Sequence, residues 1–244
     1  MKLPVSLHDE LVLGQRKLIS TFGSSIPRIL KAGEILGTTT SLNGGILHLR
    51  TGWACRFSDL ANSRRAIVDV YIPGDVIGLD DLLRTRPLKN VLMLTSATAE
   101  MLPVEDGLME LMGNRSTALF VAWLLSERQR RTDRLLAATS GLDARGRIAT
   151  MILDFHARLR RRRLITGSTY NLPLTQVEIG QYLGLTVVHV NRVLQSLRAE
   201  RILDLEKHCV TILDLDRLTG LTQSGGTGGS KTSVSDRPLD EAAN

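Results

Sequence analysis

The stretch LTQVEIGQYLGLTVVHVNRVLQSL, residues 174–197, decides the fold of the C-terminal part of the chain. Thr175 and Glu178 have the spacing of a capping box, in which each side chain satisfies a backbone N–H of the other residue, so a helix is predicted to begin there. Gly184 ends this helix, because glycine readily adopts the left-handed conformation of a C-cap. Thr186 can cap a second helix. The stretch therefore predicts two short helices joined by a glycine turn.

Each of the two predicted helices has one apolar face. Ile179 and Leu183 lie four residues apart in the first helix, and the small Gly180 between them allows another helix to approach closely. The second helix has an apolar stripe with i, i+3, i+4, i+7 spacing, made of Val190, Val193, Leu194 and Leu197. The sequence that follows, RILDLEKHCVTILDL, predicts two strands around residues 206–208. Together these elements predict a winged helix-turn-helix.

The outer face of the second helix is predicted to bind DNA. Arginine can bind guanine through two acceptors, and asparagine or glutamine can do the same for adenine. The positive N-terminus of the helix also suits a polyanion. The predicted DNA-binding residues are Thr175, Gln176, Thr186, Val187, Val188, His189, Asn191, Arg192 and Gln195, and Arg198 shares their face. The alternative is a helical hairpin with ordinary polar exposure.

Residues 26–104 are rich in predicted strands. Short apolar runs (GILHL, AIVDVYI and VLMLTSATAEML) alternate with turn signals at Gly33 and at residues 43–45, 62–63 and 73–75. Strands this closely spaced predict a small barrel or jelly roll rather than a parallel sheet with crossover helices. One helix is predicted before them, at residues 8–22.

After Pro103 the pattern changes to helix. Apolar residues recur at three-, four- and seven-residue intervals through residues 108–139, which predicts one long amphipathic helix. This pattern fits a helix packed on its own domain and equally a helix paired with its twin in a dimer. A second helix is predicted at residues 143–159. It ends in four arginines, 160–163, which are either a solvated helix end or phosphate contacts.

Composition narrows the class of protein. The apolar share is 43% and the charged share 23%, as in ordinary soluble proteins. The net charge is +6, and residues 140–221 carry 12 basic against 8 acidic residues, a modest footprint for a polyanion partner. No membrane helix, secretory signal or metal site is predicted. The two cysteines, Cys55 and Cys209, are too few for an iron–sulfur cluster and fit a reducing cytoplasm.

The whole chain resembles the Crp/Fnr superfamily of bacterial transcription regulators. The resemblance is carried by LTQVEIGQYLGLTVVHVNRVLQSLRAERIL and by GWACRFSDLANSRRAIVDVYIPGDVIGLDDLL. It implies an α+β protein with an N-terminal cyclic-nucleotide-binding-like β-roll (a jelly roll), a long dimerisation helix and a C-terminal winged helix-turn-helix. The implied regions are a sensory β-roll at 1–107, the dimerisation helix at 108–139, the DNA-binding domain at 140–221 and a disordered tail at 222–244. Double-stranded DNA, a second copy of the chain and RNA polymerase are the implied partners.

The resemblance assigns roles only in part. Arg192 matches the family's guanine-binding arginine, but Val188 stands where a glutamate is frequent, and it can only pack on a thymine methyl group. The cyclic-nucleotide motif is also changed, since Gly78 is followed by Leu79, and Lys89 and Asn90 fall where an arginine motif is expected. In this respect the chain resembles the FixK-like branch, and no cofactor is expected.

Three functional hypotheses remain. The first is a dimeric regulator that binds a palindromic DNA site through the helix at 186–199. The second is a regulator whose β-roll binds a nucleotide or another small ligand, or whose Cys209 thiol responds to oxidation. The third, a cupin-type enzyme, lacks metal ligands, because His48 is the only histidine of residues 26–104. We therefore expect a protein without catalytic activity. The sequence alone identifies neither the target genes nor the sign of regulation.

Overall fold

The structure is a computed structural model that describes residues 6–36, 45–61, 64–80, 90–103, 109 and 111–223. These residues form two compact units. The first contains residues 6–58 and 68–130, and the second contains residues 59–67 and 131–223, apart from the gaps in the described ranges. The division falls inside the long helix, which therefore contributes residues to both units.

The N-terminal part begins with helix α1 (Leu7–Gly23), whose capping box is formed by Ser6 and Asp9. Eight short strands follow: β1 (Arg28–Leu30), β2 (Ile35–Leu36), β3 (Gly45–Thr51), β4 (Ala54–Asp59), β5 (Arg65–Tyr71), β6 (Val76–Ile77), β7 (Val91–Met93) and β8 (Ala97–Pro103). They form two four-stranded sheets with the orders β1-β8-β3-β6 and β2-β7-β4-β5. This double sheet is the predicted β-roll.

Two of the four predicted turns of the β-roll are confirmed, at Gly33 and at residues 73–75, whereas Gly45 of the predicted turn at 43–45 begins strand β3. Gly33 and Gly74 both have positive φ, +83° and +87°, which explains why glycine occupies these positions. The predicted turns at residues 43–44 and 62–63 lie outside the described residues. The run VLMLTSATAEML forms two strands, β7 and β8, rather than one.

The interior of the first unit has two apolar clusters. One fills the β-roll and is built from buried aliphatic residues and Tyr71. The other joins helix α1 to the beginning of the long helix and includes Leu18, Phe22, Leu111 and Phe120. The two helices approach closely, because a Cβ atom added at Gly14 would lie 2.0 Å from the carbonyl oxygen of Ser116.

The long helix, α2, spans Arg115–Gly141. The predicted start near residue 108 is therefore wrong for this helix, although residue 108 itself lies outside the described residues. Asn114 accounts for the difference. Its side-chain oxygen accepts hydrogen bonds from the N–H groups of Ser116 and Thr117, at 3.1 and 3.3 Å, and so caps the first turn.

The C-terminal part of the chain contains the predicted helices and strands in the predicted order. Its elements are α3 (Ala144–Arg161), β9 (Thr169–Asn171), α4 (Gln176–Leu183), α5 (Val187–Ala199), β10 (Leu203–Glu206), β11 (Cys209–Ile212) and α6 (Leu215–Leu221). The strand β9 and the helix α6 were not predicted. The strands form a sheet with the order β10-β11-β9. The predicted α+β class, with a β-roll, a long helix and a winged helix-turn-helix, is confirmed.

Two further sequence features can be placed. The arginines at 160–163 form the last turn of α3 and the residues directly after it, with Arg162 as C-cap and Arg163 at a φ of +55°. All of the predicted tail except Thr222 and Gln223 lies outside the described residues. Among the described helices, none is long and apolar enough to cross a membrane.

Candidate nucleic-acid interface

Helices α4 and α5 form the predicted helix-turn-helix. The capping box is present, since the Glu178 N–H donates to the Thr175 hydroxyl at 3.2 Å and the Thr175 N–H donates to the Glu178 carboxylate at 2.7 Å. Gly184 is the C-cap of α4 with a φ of +67°. The His189 N–H donates to the Thr186 hydroxyl at 3.3 Å, which caps α5. The local signals in the sequence therefore set both helix boundaries.

The reason for glycine at position 180 differs from the prediction. A Cβ atom added there would lie 2.6 Å from the carbonyl oxygen of Leu185, which belongs to the turn and not to another helix. The Leu185 N–H also donates to the Gly180 carbonyl at 2.9 Å. Gly180 thus allows the turn to fold back on α4 and so determines where α5 begins.

Helix α5 is sharply divided between a buried face and an exposed face. The apolar stripe predicted from the sequence is confirmed, with Val190 and Leu197 fully buried and Val193 and Leu194 less than one tenth exposed. The opposite face contains Val188, Arg192 and Gln195, all of which are exposed. Val188 is the most exposed of the apolar side chains on α5, at 70%.

The side chains of Arg192 and Gln195 are open to solvent. Within the described residues neither side chain has a hydrogen-bond or ion-pair partner. Arg192 lines a shallow groove together with Thr186, Val188 and His189. The His189 side chain is also exposed. Five of the predicted DNA-binding residues therefore lie together on one open surface, which we call the reading face: Val187, Val188, His189, Arg192 and Gln195.

Four predicted DNA-binding residues already make contacts within the protein. Thr175 and Thr186 use their hydroxyl groups as caps. The Asn191 side-chain amide donates to the Gln176 side-chain oxygen at 3.1 Å, and both residues are half-buried. This bond joins the first turn of α4 to α5 and fixes the orientation of Asn191. This pair could not be predicted from the sequence, because the two residues are 15 positions apart.

Arg198, placed on the outer face from the sequence, has a different role. Its Nε donates to Asp204 at 2.6 Å and its Nη2 donates to the Leu205 carbonyl at 3.3 Å, so it ties α5 to the first strand of the wing. The wing itself is an antiparallel hairpin of β10 and β11, in which Leu203 pairs with Ile212 at one end and Glu206 pairs with Cys209 at the other. Lys207 and His208 form its turn with φ values of +47° and +67°.

An ionic cluster behind the reading face fixes α5 on its neighbours. Arg145 of α3 donates to the two carboxylate oxygens of Glu200 at 2.5 and 2.7 Å, and Ser196 donates to the same carboxylate at 2.8 Å. Arg217 of α6 donates to the Glu200 carbonyl at 3.0 Å. The hydrogen bonds from Arg145 and Ser196 lower the pKa of Glu200 to about 2. This cluster could not be predicted from the sequence, since its partners come from three helices.

The described residues of the predicted effector site form contacts within the protein. Leu79 is buried, Gly78 has a φ of +95°, and the Asn90 carbonyl accepts from the Phe57 N–H at 2.9 Å. Lys89 lies outside the described residues. Next to Leu79, the Asp80 carboxylate forms 2.7 Å ion pairs with Arg56 and with Arg128 of the long helix.

Arg128 connects this network to the centre of the β-roll. It forms a second ion pair with the buried Asp69 at 2.9 Å and donates to the Tyr71 hydroxyl at 3.2 Å. Burial alone would raise the pKa of Asp80, but Arg128 and Arg56 outweigh burial and hold that pKa below its ordinary value. Burial and the charge of Asp69 raise the pKa of the Tyr71 hydroxyl.

The remaining candidate groups show no assembled site. Cys55 is buried and Cys209 is exposed, and the two are not joined in a disulfide. His48 contacts the buried Glu100 at 3.0 Å and packs against the Phe22 ring. Within the part of the chain that the structure describes, no three His, Cys, Asp or Glu side chains come close enough to hold a metal ion.

Comparison with known proteins relates the chain to transcription regulators. Residues 146–221 match the Crp-like helix-turn-helix domain. The transcriptional activator protein anr of Pseudomonas aeruginosa is 29% identical over 197 residues, which cover 80% of this chain and 79% of that protein. The anaerobic regulatory protein of Haemophilus influenzae is 26% identical over 200 residues, 82% of this chain and 74% of that one.

Solved structures support the same fold. FixK2 from Bradyrhizobium japonicum superposes with a TM-score of 0.70 at 20% sequence identity, covering 84% of this chain and 99% of that chain. At this identity the likeness concerns the fold, including the β-roll, the long helix and the helix-turn-helix.

Proposed function

We propose that the chain is a DNA-binding transcription regulator of the Crp/Fnr family and that two copies bind a palindromic DNA site through helix α5. The observation that supports this proposal best is the reading face. Arg192 is exposed there without a partner among the described residues, directly opposite the buried stripe of the same helix. A bidentate donor held on a rigid helix is what recognition of guanine in the major groove requires.

We assign DNA contacts to the other residues from the chemistry of their side chains and from the contacts they make within the protein. Gln195 can contact a base edge, and Val187 and Val188 can make only apolar contacts. Asn191 is positioned by Gln176, so these two act as a pair. Thr175, Thr186 and His189 lie near the N-termini of α4 and α5, where backbone N–H groups suit phosphate oxygens.

Dimerisation is proposed for the long helix. Ala122, Ser126 and Gln129 of α2 are exposed at intervals of four and three residues, as in a coiled-coil seam. Leu136 is exposed one heptad after Gln129, and the exposed Asp133 occupies the position between these two. We propose the same regions as the sequence analysis: a sensory β-roll at 1–107, a dimerisation helix at 108–139 and a DNA-binding domain at 140–221. The seam lies in the dimerisation helix. Two helix-turn-helix units brought together in this way would match the symmetry of a palindromic site.

We propose that DNA binding is not controlled by an anionic effector, such as a cyclic nucleotide, at Gly78–Asp80. A cyclic nucleotide there would meet the Asp80 carboxylate, whose countercharges Arg56 and Arg128 are already in place. Ligand gating through another part of the β-roll remains the alternative, as does oxidation of the exposed Cys209. We propose RNA polymerase as a further partner, because the relative from Pseudomonas aeruginosa is named a transcriptional activator. We also propose that the protein acts in the cytoplasm and has no catalytic role.

The proposal is tested by replacing Arg192. The full-length wild-type protein first selects a duplex from random DNA, and its affinity for that duplex and for a scrambled duplex is measured by fluorescence anisotropy. Arg192→Ala should weaken binding to the selected duplex by about 1–3 kcal/mol and relax the preference at one guanine. Binding to the scrambled duplex should change much less, because it depends on phosphate contacts.

Arg130→Ala is the matched control. It removes the same charge from an exposed position on α2, where Arg130 pairs with Glu127 at 2.9 Å. This variant should retain the preference for the selected duplex. Equal binding of wild type and Arg192→Ala to the selected duplex would show that Arg192 does not contact a base.

A further inference from the structure

The position of Val188 on the reading face requires an explanation. Val188 lies opposite the buried stripe of α5 and is 70% exposed. Its neighbours on this face, Arg192 and Gln195, are polar. A β-branched apolar residue gains nothing in a helix when its side chain stays in water, because its propensity is lower and no surface is buried. This exposed position is therefore suited to an apolar contact made only in a complex.

The helix also lacks the group that would read cytosine. Cytosine presents its N4 amino group as a donor in the major groove, and Asp or Glu is the side chain that accepts from it. Residues Val187–Ala199 contain no carboxylate. Thymine presents a methyl group instead, which an apolar side chain can cover. Val188 therefore favours thymine, with its methyl group, over cytosine, with its N4 amino group.

The distance from Arg192 limits where that base pair lies. Val188 and Arg192 are one helical turn apart on the same face, about 6 Å along the helix axis. Successive base pairs of B-DNA rise by about 3.4 Å. The base contacted by Val188 thus lies within about two steps of the guanine contacted by Arg192.

We propose that Val188 is a specificity-determining residue that recognises the 5-methyl group of a thymine close to the guanine bound by Arg192. This inference rests on the proposed function of the reading face. Because only the methyl group is recognised, 5-methylcytosine should be bound more tightly than cytosine at the same position. The protein would then distinguish methylated from unmethylated cytosine in its half-site.

The test removes one methyl group from the DNA at a time. Each thymine of the selected duplex is replaced in turn by deoxyuridine, and binding of the full-length protein is measured by fluorescence anisotropy. At one position per half-site, wild type should lose about fourfold in affinity, as expected for one methyl-sized group. Cytosine at that position should bind less tightly than 5-methylcytosine by a similar factor.

Variants of Val188 link this loss to the side chain. Val188→Ser should bind the thymine and deoxyuridine duplexes equally. Val188→Glu should prefer cytosine at this position, because its carboxylate accepts from N4. Val177→Ser is the matched control, since Val177 is also an exposed valine at the second position of a helix, α4, and is 50% exposed. It should retain the wild-type preference for thymine.

The outcomes separate the two proposals. If wild type tolerates deoxyuridine at every thymine, or if Val188→Ser keeps the thymine preference, the role of Val188 is wrong. The proposed function is tested separately with 7-deazaguanine, which lacks the N7 acceptor. Wild type and the Val188 variants should bind the duplex with 7-deazaguanine less tightly than the duplex with guanine, whereas Arg192→Ala should bind both equally. This result would support DNA recognition by the reading face, whatever the role of Val188. A wild-type protein that selects no sequence contradicts both proposals.

Discussion

Arg192 and Arg198 lie on the same helix, but their surroundings give them different roles. Arg198 is held by Asp204 at 2.6 Å, whereas Arg192 has no partner within the described residues. The helical periodicity predicted that both would be exposed, and it could not predict which of them would be paired. Pairing depends on the position of the wing strand, which is a property of the tertiary structure.

Glu200 allows a test at the scale of one residue through pH. Because its pKa is lowered to about 2 by Arg145 and Ser196, its ionised form stabilises the folded state. That stabilisation is fully present above the unfolded pKa of about 4.3 and is lost as the pH falls towards the folded value. Glu200→Gln should therefore reduce the difference in melting temperature between pH 6 and pH 3, measured by calorimetry.

Glu206→Gln serves as the control for this experiment. Glu206 is an exposed residue at the end of β10, and its carboxylate lies 3.8 Å from Arg198, outside the cluster around Arg145. This variant should keep the wild-type difference between the two pH values. A Glu200→Gln protein with the same pH dependence as wild type would mean that the cluster adds nothing to stability.

Among the elements, the helix-turn-helix was the most predictable. The capping box, the glycine C-cap and the apolar stripe are all determined by residues a few positions apart, and all three are present. The start of α2 was less predictable, because Asn114 interrupts an apolar pattern that continues on both sides. Apolar periodicity indicates which face is buried, but a single capping side chain determines where a helix begins.

Gly180 provides the test at the scale of this element. In Gly180→Ala the new Cβ atom would meet the Leu185 carbonyl at 2.6 Å, so the turn must shift. We expect a loss of about 1–3 kcal/mol in the free energy of unfolding, measured by urea denaturation, and a clear loss of affinity for the selected duplex. Gly167→Ala, where nothing lies within 4 Å of the added atom, should change neither. If Gly180→Ala matches that control, the close turn does not position α5.

In the molecule as a whole, the contacts that were not predicted are those between distant parts of the sequence. Arg128 and Asp80 are 48 positions apart, and Arg145 and Glu200 are 55 apart. Charged side chains at such separations are ordinary surface residues in the sequence, and only the folded chain brings them together.

Dimerisation is the property of the whole molecule that the proposal needs most. Ala122→Glu would place two carboxylates close together at the proposed seam of α2, where like charges repel. Sedimentation equilibrium should show a dimer for wild type and a monomer for this variant. Ala157→Glu, at an exposed alanine of α3, should remain a dimer. A dimeric Ala122→Glu protein would place the dimer contact elsewhere.

The most direct test of the central claim is selection of bound duplexes from random DNA by the full-length protein. We expect an inverted repeat in which each half-site contains a guanine near a thymine. The half-site centres should lie about one helical turn, 34 Å, apart. Failure to enrich any sequence, or enrichment of a single half-site without its inverted copy, would contradict a dimer that reads DNA through α5.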